Sequence, residues 1–544
     1  MTKAKKTFLA LLALLCFSQA ALGAPTTQEQ AAAAVRGWLA LNAAPFGETP
    51  AFFSRIESFG ERGAVASSAA AFHYIAYLEP RGIVIIPADD LLEPITAYFP
   101  EAKTYEQTPA NPIYKMVTSD LKKRVKALHN EDWQSRGLSV AQERWRLFAE
   151  AESRGGSVLP EEIPSVDVKV APLLKTRWGQ EGVENDPAFY VFNYYTPERC
   201  PAGTVATATS QIMKNQAYPR MGVGVKEFGV LVGESGVTAL TRGGDGDGGR
   251  YSWELMPDVP DERMNENQRR AIGALLFDAG IAAGTAYGKE REDADLNAAA
   301  RALVETFGYS NAVAQSRPGG LPLKLLVNAI NSNLDAGLPV ILGIEREDGN
   351  YAAVSDGYAY DGDVMYYHVN IGSNGESSLW LATPEVSADA QIFDSVSQIA
   401  YNIFTEGGGE VISGRVITSG DKPIEGALVS IKRQDYAQET KTDSGGNFAF
   451  KNVPSDSTLR VEAQKEGLTL QGIDVVTKKS ASVGAGKEIP ETGNIWNVTI
   501  TEQHVPKNAV RSGSGGCVVA ALPMLILFTG LYTALRRKNK IAKI

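Results

Sequence analysis

Cys200-Pro201-Ala202-Gly203-Thr204-Val205-Ala206-Thr207-Ala208-Thr209-Ser210-Gln211-Ile212-Met213 is the stretch on which the reading of this chain turns. Cys200-Pro201 falls in a loop, and the residues from Thr204 through Gln211 and Met213 predict a helix that opens at Thr204. A helix N-terminus is electropositive, so it is where a thiol is most readily ionised to a thiolate. A threonine stands there instead. Its hydroxyl is far too weak an acid for a helix end to ionise, and as a nucleophile it needs an adjacent general base. The structural reading of Thr204 is a helix N-cap.

Working outward, the chain has 544 residues, 44% hydrophobic and 21% charged, which is enough to bury several cores in three or more domains. Its formal net charge of -10 and lack of a basic stripe argue against nucleic acid as a partner. Of the three cysteines, Cys16 and Cys517 lie in apolar targeting-type segments, which leaves Cys200 alone in the folded body and excludes an intrachain disulfide framework. The four histidines, His73, His129, His368 and His504, show none of the Cys/His clustering of a structural zinc site. No cofactor is implied.

Both ends carry addresses. Lys3, Lys5 and Lys6, an apolar run from Phe8 to Phe17 and the small residues Ala21-Leu22-Gly23 predict an export signal over 1–23. At the other end, Cys517 to Leu535 is uncharged and apolar, about 28 Å long as a helix and close to the thickness of a bilayer core. The basic residues of 536–544 then predict a cytoplasmic tail, with the body outside. Ser512 to Gly516 and Cys517 precede the span, and this small-residue motif, apolar helix and basic tail resemble the tripartite C-terminal sorting signals of some bacteria. That resemblance implies processing near Gly515, Gly516 and Cys517. The mature protein is expected at the cell surface, membrane-anchored or released.

Between the ends, 25–150 reads as a small α+β unit with a helix over Ala31 to Leu41 and strands in Phe72 to Tyr77, Gly82 to Asp90 and Pro94 to Tyr98. A polar linker follows at 151–167, with Arg154-Gly155-Gly156-Ser157 inside it. From 168 to 404 comes a run of spaced blocks. They include Trp178-Gly179-Gln180, Gly203 to Ala208 with Tyr218-Pro219, Tyr251-Ser252-Trp253, and Tyr287-Gly288. Asn350-Tyr351-Ala352 leading to Asp356-Gly357-Tyr358, and His368-Val369-Asn370-Ile371-Gly372, follow in order.

These blocks, in this order, resemble the streptopain family of cysteine peptidases, and the unit before them resembles that family's propeptide or inhibitor-like domain. The resemblance implies a papain-like α+β fold, with a helix packed on a twisted antiparallel sheet. It also implies roles. Thr204 stands at the position of the family's nucleophilic cysteine, Tyr351 at the position of its histidine base, Gln180 at the oxyanion position, and Asn370 at the position that orients the histidine. A phenol near its ordinary pKa of about 10 does not replace an imidazole at neutral pH. The chain is therefore expected to be a peptidase homologue without catalysis, its cleft holding a peptide or protein ligand, and Tyr351 is expected to fill the old cleft.

The alternative is an active cysteine peptidase using a displaced pair, Cys200 and His368, since His368 and Asn370 would share a face of an extended strand. The Gly243-Gly-Asp-Gly-Asp-Gly-Gly249 run lacks the spacing of a calcium loop and reads as a mobile acidic loop. From 410 to 501, alternating stretches separated by turn chemistry predict an all-β sandwich whose pattern resembles the carboxypeptidase regulatory-like (transthyretin-like) domain, serving as a spacer. A polar linker at 502–516 completes the expected order.

Overall fold

The computed structural model describes residues 25–503 apart from 61–70, 106–113, 115–116, 119, 123, 125–139, 156–165, 184–188, 289–294, 347–348, 376–377, 384–391 and 394–395. The expected export signal, the linker from residue 504, the apolar segment Cys517–Leu535 and the basic tail lie outside the described residues. No helix among the described residues is long and apolar enough to cross a membrane.

The N-terminal part opens with helix α1 (Gln28–Leu41), started by a capping box in which Thr27 and Gln30 satisfy each other's free N–H groups. Strands β1 (Phe52–Phe59), β2 (His73–Glu79), β3 (Ile83–Pro87) and β4 (Ala97–Phe99) follow, then helix α2 (Val140–Ser153). Strand β5 (Val166–Val170) leads to helix α3 (Thr204–Gln216) and the hairpin β6 (Glu227–Val232) and β7 (Ser235–Leu240). Next come α4 (Glu266–Ala282), α5 (Leu296–Glu305), β8 (Asn311–Ser316), β9 (Leu321–Pro322) and α6 (Leu323–Asp335). The strands β10 (Val340–Arg346), β11 (Gly349–Asp361), β12 (Val364–Asn370), β13 (Leu379–Ala382), β14 (Ile392–Phe393) and β15 (Val396–Phe404) close this part.

Among the described residues these strands form one sheet of eleven, in the order β1-β2-β3-β4-β13-β12-β11-β10-β15-β8, with β5 paired to β11. The four N-terminal strands are thus not a separate layer. Strand β4 pairs with β13, setting Tyr98 opposite Trp380 and Ala97 opposite Leu381. Residues 156–165 of the expected linker at 151–167 lie outside the described residues. Ala151–Ser153 end α2, and the strand that starts at Val166 is already part of the main sheet. Apolar cores form on both faces of this sheet because its strands are buried on both sides. Helices α3, α4 and α5 share one core with Ala352 and Val354 of β11. On another core, α1 and α2 pack with Tyr366 and Trp380, and Phe46 stacks on Trp380 at 4.8 Å.

A buried ion cluster fastens the N-terminal part. Arg144 of α2 lies 2.6 Å from Glu93 and 2.7 Å from Asp361 at the end of β11, all three nearly inaccessible. The Trp38 indole of α1 donates to the same Asp361 carboxylate.

The C-terminal part is β-rich. Strands β16 (Glu410–Ile417), β19 (Asn447–Val453) and β22 (Ile495–Thr501) form one sheet. A second sheet is built from β17 (Leu428–Arg433), β18 (Tyr436–Lys441), β20 (Thr458–Gln464) and β21 (Ile473–Val476), and residues of both sheets share one apolar cluster. This part packs against the main domain. Asp335 of α6 accepts hydrogen bonds from Tyr358 at 2.8 Å and Ser413 at 2.6 Å, and Asn402 is joined to both Asn333 and Asn494. Val483 adds a bridge to the outer strand β8 at Gln315, which covers that sheet edge.

Candidate active-site cleft

Helix α3 starts against β11, and Thr204, Thr207 and Gln211 fall three and four apart on one of its faces. Gly203, at φ 92°, takes the N-cap, one residue earlier than expected, and Thr204 is the first helical residue. The left-handed conformation explains a glycine there. Thr204 is buried, and its hydroxyl accepts a hydrogen bond from the backbone N–H of Ala352 at 3.1 Å. Thr207 donates to Gly179 carbonyl oxygen at 3.1 Å, which ties the helix to the Trp178-Gly179-Gln180 segment.

Tyr351 is buried in β11, one residue before Ala352. Its hydroxyl donates to the Ile371 carbonyl at 2.7 Å and lies 3.4 Å from the Gln180 amide nitrogen, which donates to it. The phenol hydroxyl therefore bridges Gln180 and the Ile371 carbonyl just past β12. Gln180, expected at the oxyanion position, is engaged by the ring's own oxygen.

Asn370 is buried and bound on every side. Its amide nitrogen donates to the Thr176 carbonyl at 3.0 Å and to Gln211 at 3.2 Å, while its oxygen accepts from Gln211 at 3.3 Å and from the Gly372 N–H at 3.0 Å. Thr176 completes the network by donating to Gln211 at 2.9 Å. Sequence reasoning singled out Asn370 but missed Gln211 and Thr176 as its partners. The spacing of Thr204, Thr207 and Gln211 along the helix was the available signal.

The structure does not bring Cys200 and His368 together: among the described residues no hydrogen bond joins them. His368 sits in β12 with Nδ1 2.6 Å from an Asp356 oxygen and its ring 5.1 Å from that of Trp380. Cys200 is a free thiol packed beside Phe277, Ile281 and Tyr287. Burial and the nearby Glu198 push its pKa up, the direction opposite to activation. The glycine-rich loop is held by side-chain hydrogen bonds to its backbone. The buried Asp278 carboxylate accepts the N–H groups of Arg242 and Gly243, and Asp245 accepts those of Asp247 and Gly249. No cluster of metal-ligating side chains occurs among the described residues.

The segment leading into Trp178 meets the N-terminal part. Glu101, just past β4, lies 3.3 Å from Arg177 and 3.1 Å from Arg81.

Comparison with known proteins agrees with the sequence reading. Residues 185–380 match the Peptidase C10 family, a span that includes Thr204, Tyr351 and Asn370, and residues 411–485 match the carboxypeptidase regulatory-like domain. Streptopain of Streptococcus pyogenes serotype M1 is 30% identical over 193 residues, covering 34% of this chain and 46% of the relative. The chain thus spans about half the length of the curated relatives it matches. A solved fragment of Prevotella intermedia prointerpain A is 22% identical, with 61% of this chain and 96% of that one covered at a TM-score of 0.45. Active interpain A from the same organism is 24% identical over 45% of this chain and 96% of its own, at a TM-score of 0.35. The chain carries a domain of the Peptidase C10 (streptopain) family followed by a carboxypeptidase regulatory-like domain.

Proposed function

We propose that this protein is an exported, surface-anchored streptopain homologue without peptidase activity, whose cleft region binds a peptide or protein. The observation that carries the reading is the hydrogen bonding of the two substituted positions. Thr204 hydroxyl receives the Ala352 N–H, and the Tyr351 hydroxyl bridges Gln180 and Ile371, so neither a thiolate nor an imidazole is present where the family's chemistry takes place. The N-terminal part is read as a retained propeptide-like domain, and the two C-terminal sheets as a transthyretin-like sandwich. Export through 1–23 and anchoring through 517–535, with processing near Gly515, Gly516 and Cys517, belong to the same proposal.

The test is hydrolysis of casein by the purified ectodomain, together with labelling by an epoxide thiol probe. No turnover above a buffer blank is expected. Thiol-dependent turnover that disappears in Cys200→Ala would overturn the reading and restore the Cys200/His368 pair.

A further inference from the structure

The hairpin β6–β7 stands on the helical side of the fold with one edge open. Its turn is Gly233–Glu234, closed by Val232 opposite Ser235, and Gly233 has φ 59°, as the first position of a II′ turn demands. One face is anchored: Val230 is buried against Phe277, Ile281 and Tyr287. The outer edge of β6 is also covered, since Tyr287 N–H donates to the Leu231 carbonyl and the Gly233 N–H donates to the Tyr287 carbonyl. Strand β7, Ser235-Gly-Val-Thr-Ala-Leu240, pairs with β6 alone among the described residues.

An uncharged, proline-free edge strand is a template for another strand. Because a two-residue turn makes Val232 and Ser235 a hydrogen-bonded pair, alternation directs the N–H and C=O groups of Gly236, Thr238 and Leu240 away from β6. Leu231, Val237 and Leu240 are exposed. We propose that β7 is a self-association edge, on which a second copy of this chain adds its own β7 antiparallel about a two-fold axis at Thr238.

The second copy is favoured by how well the strand complements itself. Pairing Thr238 with its mate sets Gly236 opposite Leu240 of the other copy, in the register that matches outward-facing groups on both sides. A Cβ placed at Gly229 or Gly236 meets nothing within 4 Å, so the face has room for the incoming leucines. Since Leu231 lies opposite Gly236 and Glu227 opposite Leu240, each of two symmetry-related rows sets Leu231 of one copy and Leu240 of the other on either side of Gly236, with Glu227 at the outer end. Isologous pairing of this kind closes after two copies and does not propagate.

A single strand pair is small for a protein interface, so a weak dimer with a dissociation constant of about 10 to 100 µM is expected. Sedimentation velocity of the intact purified chain from about 1 to 200 µM reads it directly. The expected result is a monomer–dimer shift, with slowed hydrogen exchange at Gly236, Thr238 and Leu240 as concentration rises. Leu240→Lys, at an exposed position, and Thr238→Pro, which removes an outward N–H, should each weaken association at least about tenfold. A monomer at every concentration overturns the proposal, as does an undiminished dimer in Leu240→Lys with its thermal stability intact. Protection of those amides by an added extended peptide, without any dimer, overturns the second copy in favour of a peptide ligand.

Discussion

Thr204 and Ala352 meet across the cleft, the threonine hydroxyl accepting the alanine N–H at 3.1 Å from a helix start to a sheet strand. The contact is structural in character, because the acceptor is buried and the donor is a backbone group that has to be paired. Thr204→Val keeps the shape but leaves that N–H without its partner. A loss of about 1 to 3 kcal/mol in unfolding free energy is expected from denaturant titration. A change within experimental error would show that the contact contributes nothing.

Restoring the chemistry takes more than one substitution. Thr204→Cys places a thiol at the helix N-terminus, but Tyr351 supplies no base at neutral pH, so no turnover is expected. Thr204→Cys combined with Tyr351→His should label with a thiol probe and cleave casein slowly. Slow is expected because the Asn370 amide is already committed to Gln211, Thr176 and Gly372 and is not free to orient an imidazole. Adding Gln211→Ala to the double variant should raise turnover if that commitment limits it. Robust cleavage by Thr204→Cys alone would identify another residue as base.

These residues also show how far the sequence could be read. Thr204 and Tyr351 stood out because the blocks around them are local and in order, and helix α1 because Thr27 and Gln30 form its cap within four residues. What stayed hidden depends on distant partners. The pairing of Tyr98 with Trp380, the burial of Arg144 between Glu93 and Asp361, and the docking of Ser413 on Asp335 leave no local pattern. An apolar run such as Ile83–Pro87 announces a buried strand but not which strand it joins. Hence the N-terminal part reads as a separate unit, although its strands continue the main sheet.

Buried carboxyls give the fold an unusual dependence on pH. Burial outweighs the attraction of Arg144 and pushes Glu93 up to about 7. Burial likewise raises Asp278 and Asp335 to about 6 each. Between the ordinary carboxylate range and these values the folded chain keeps protons that the unfolded chain has lost, so stability falls as pH rises from about 4.5 to 7. His73, held down to about 4 by burial, works the other way between about 4 and 6.5, and is outnumbered. The melting temperature should therefore be higher at pH 5.5 than at pH 8. Glu93→Gln, which still offers Arg144 an acceptor, should flatten the part of the slope nearest pH 7. A melting temperature that rises steadily from pH 5.5 to 8 contradicts the argument.

The remaining prediction concerns what happens when the chain is cut between its N-terminal part and the main domain. Arg154 lies in an exposed turn just after α2 and offers trypsin a site. A propeptide joined only by surface contacts would diffuse away after such a nick. Here β4 continues the main sheet through β13, Trp38 and Phe46 share a core with Tyr366 and Trp380, and Arg144 is shared between Glu93 and Asp361. Removing this part would strip the Asp361 carboxylate of its buried cation and open a strand edge to water, both costly. Nicked protein should therefore elute as one species from a sizing column and separate only in denaturant. Arg144→Met leaves buried carboxyls without their counter-ion, at a cost of about 3 to 5 kcal/mol, and should allow the nicked fragments to part. Spontaneous separation of the unsubstituted fragments in native buffer would show that the shared sheet does not hold them. It would then make the N-terminal part a removable cover over the segment at Arg177 that Glu101 touches.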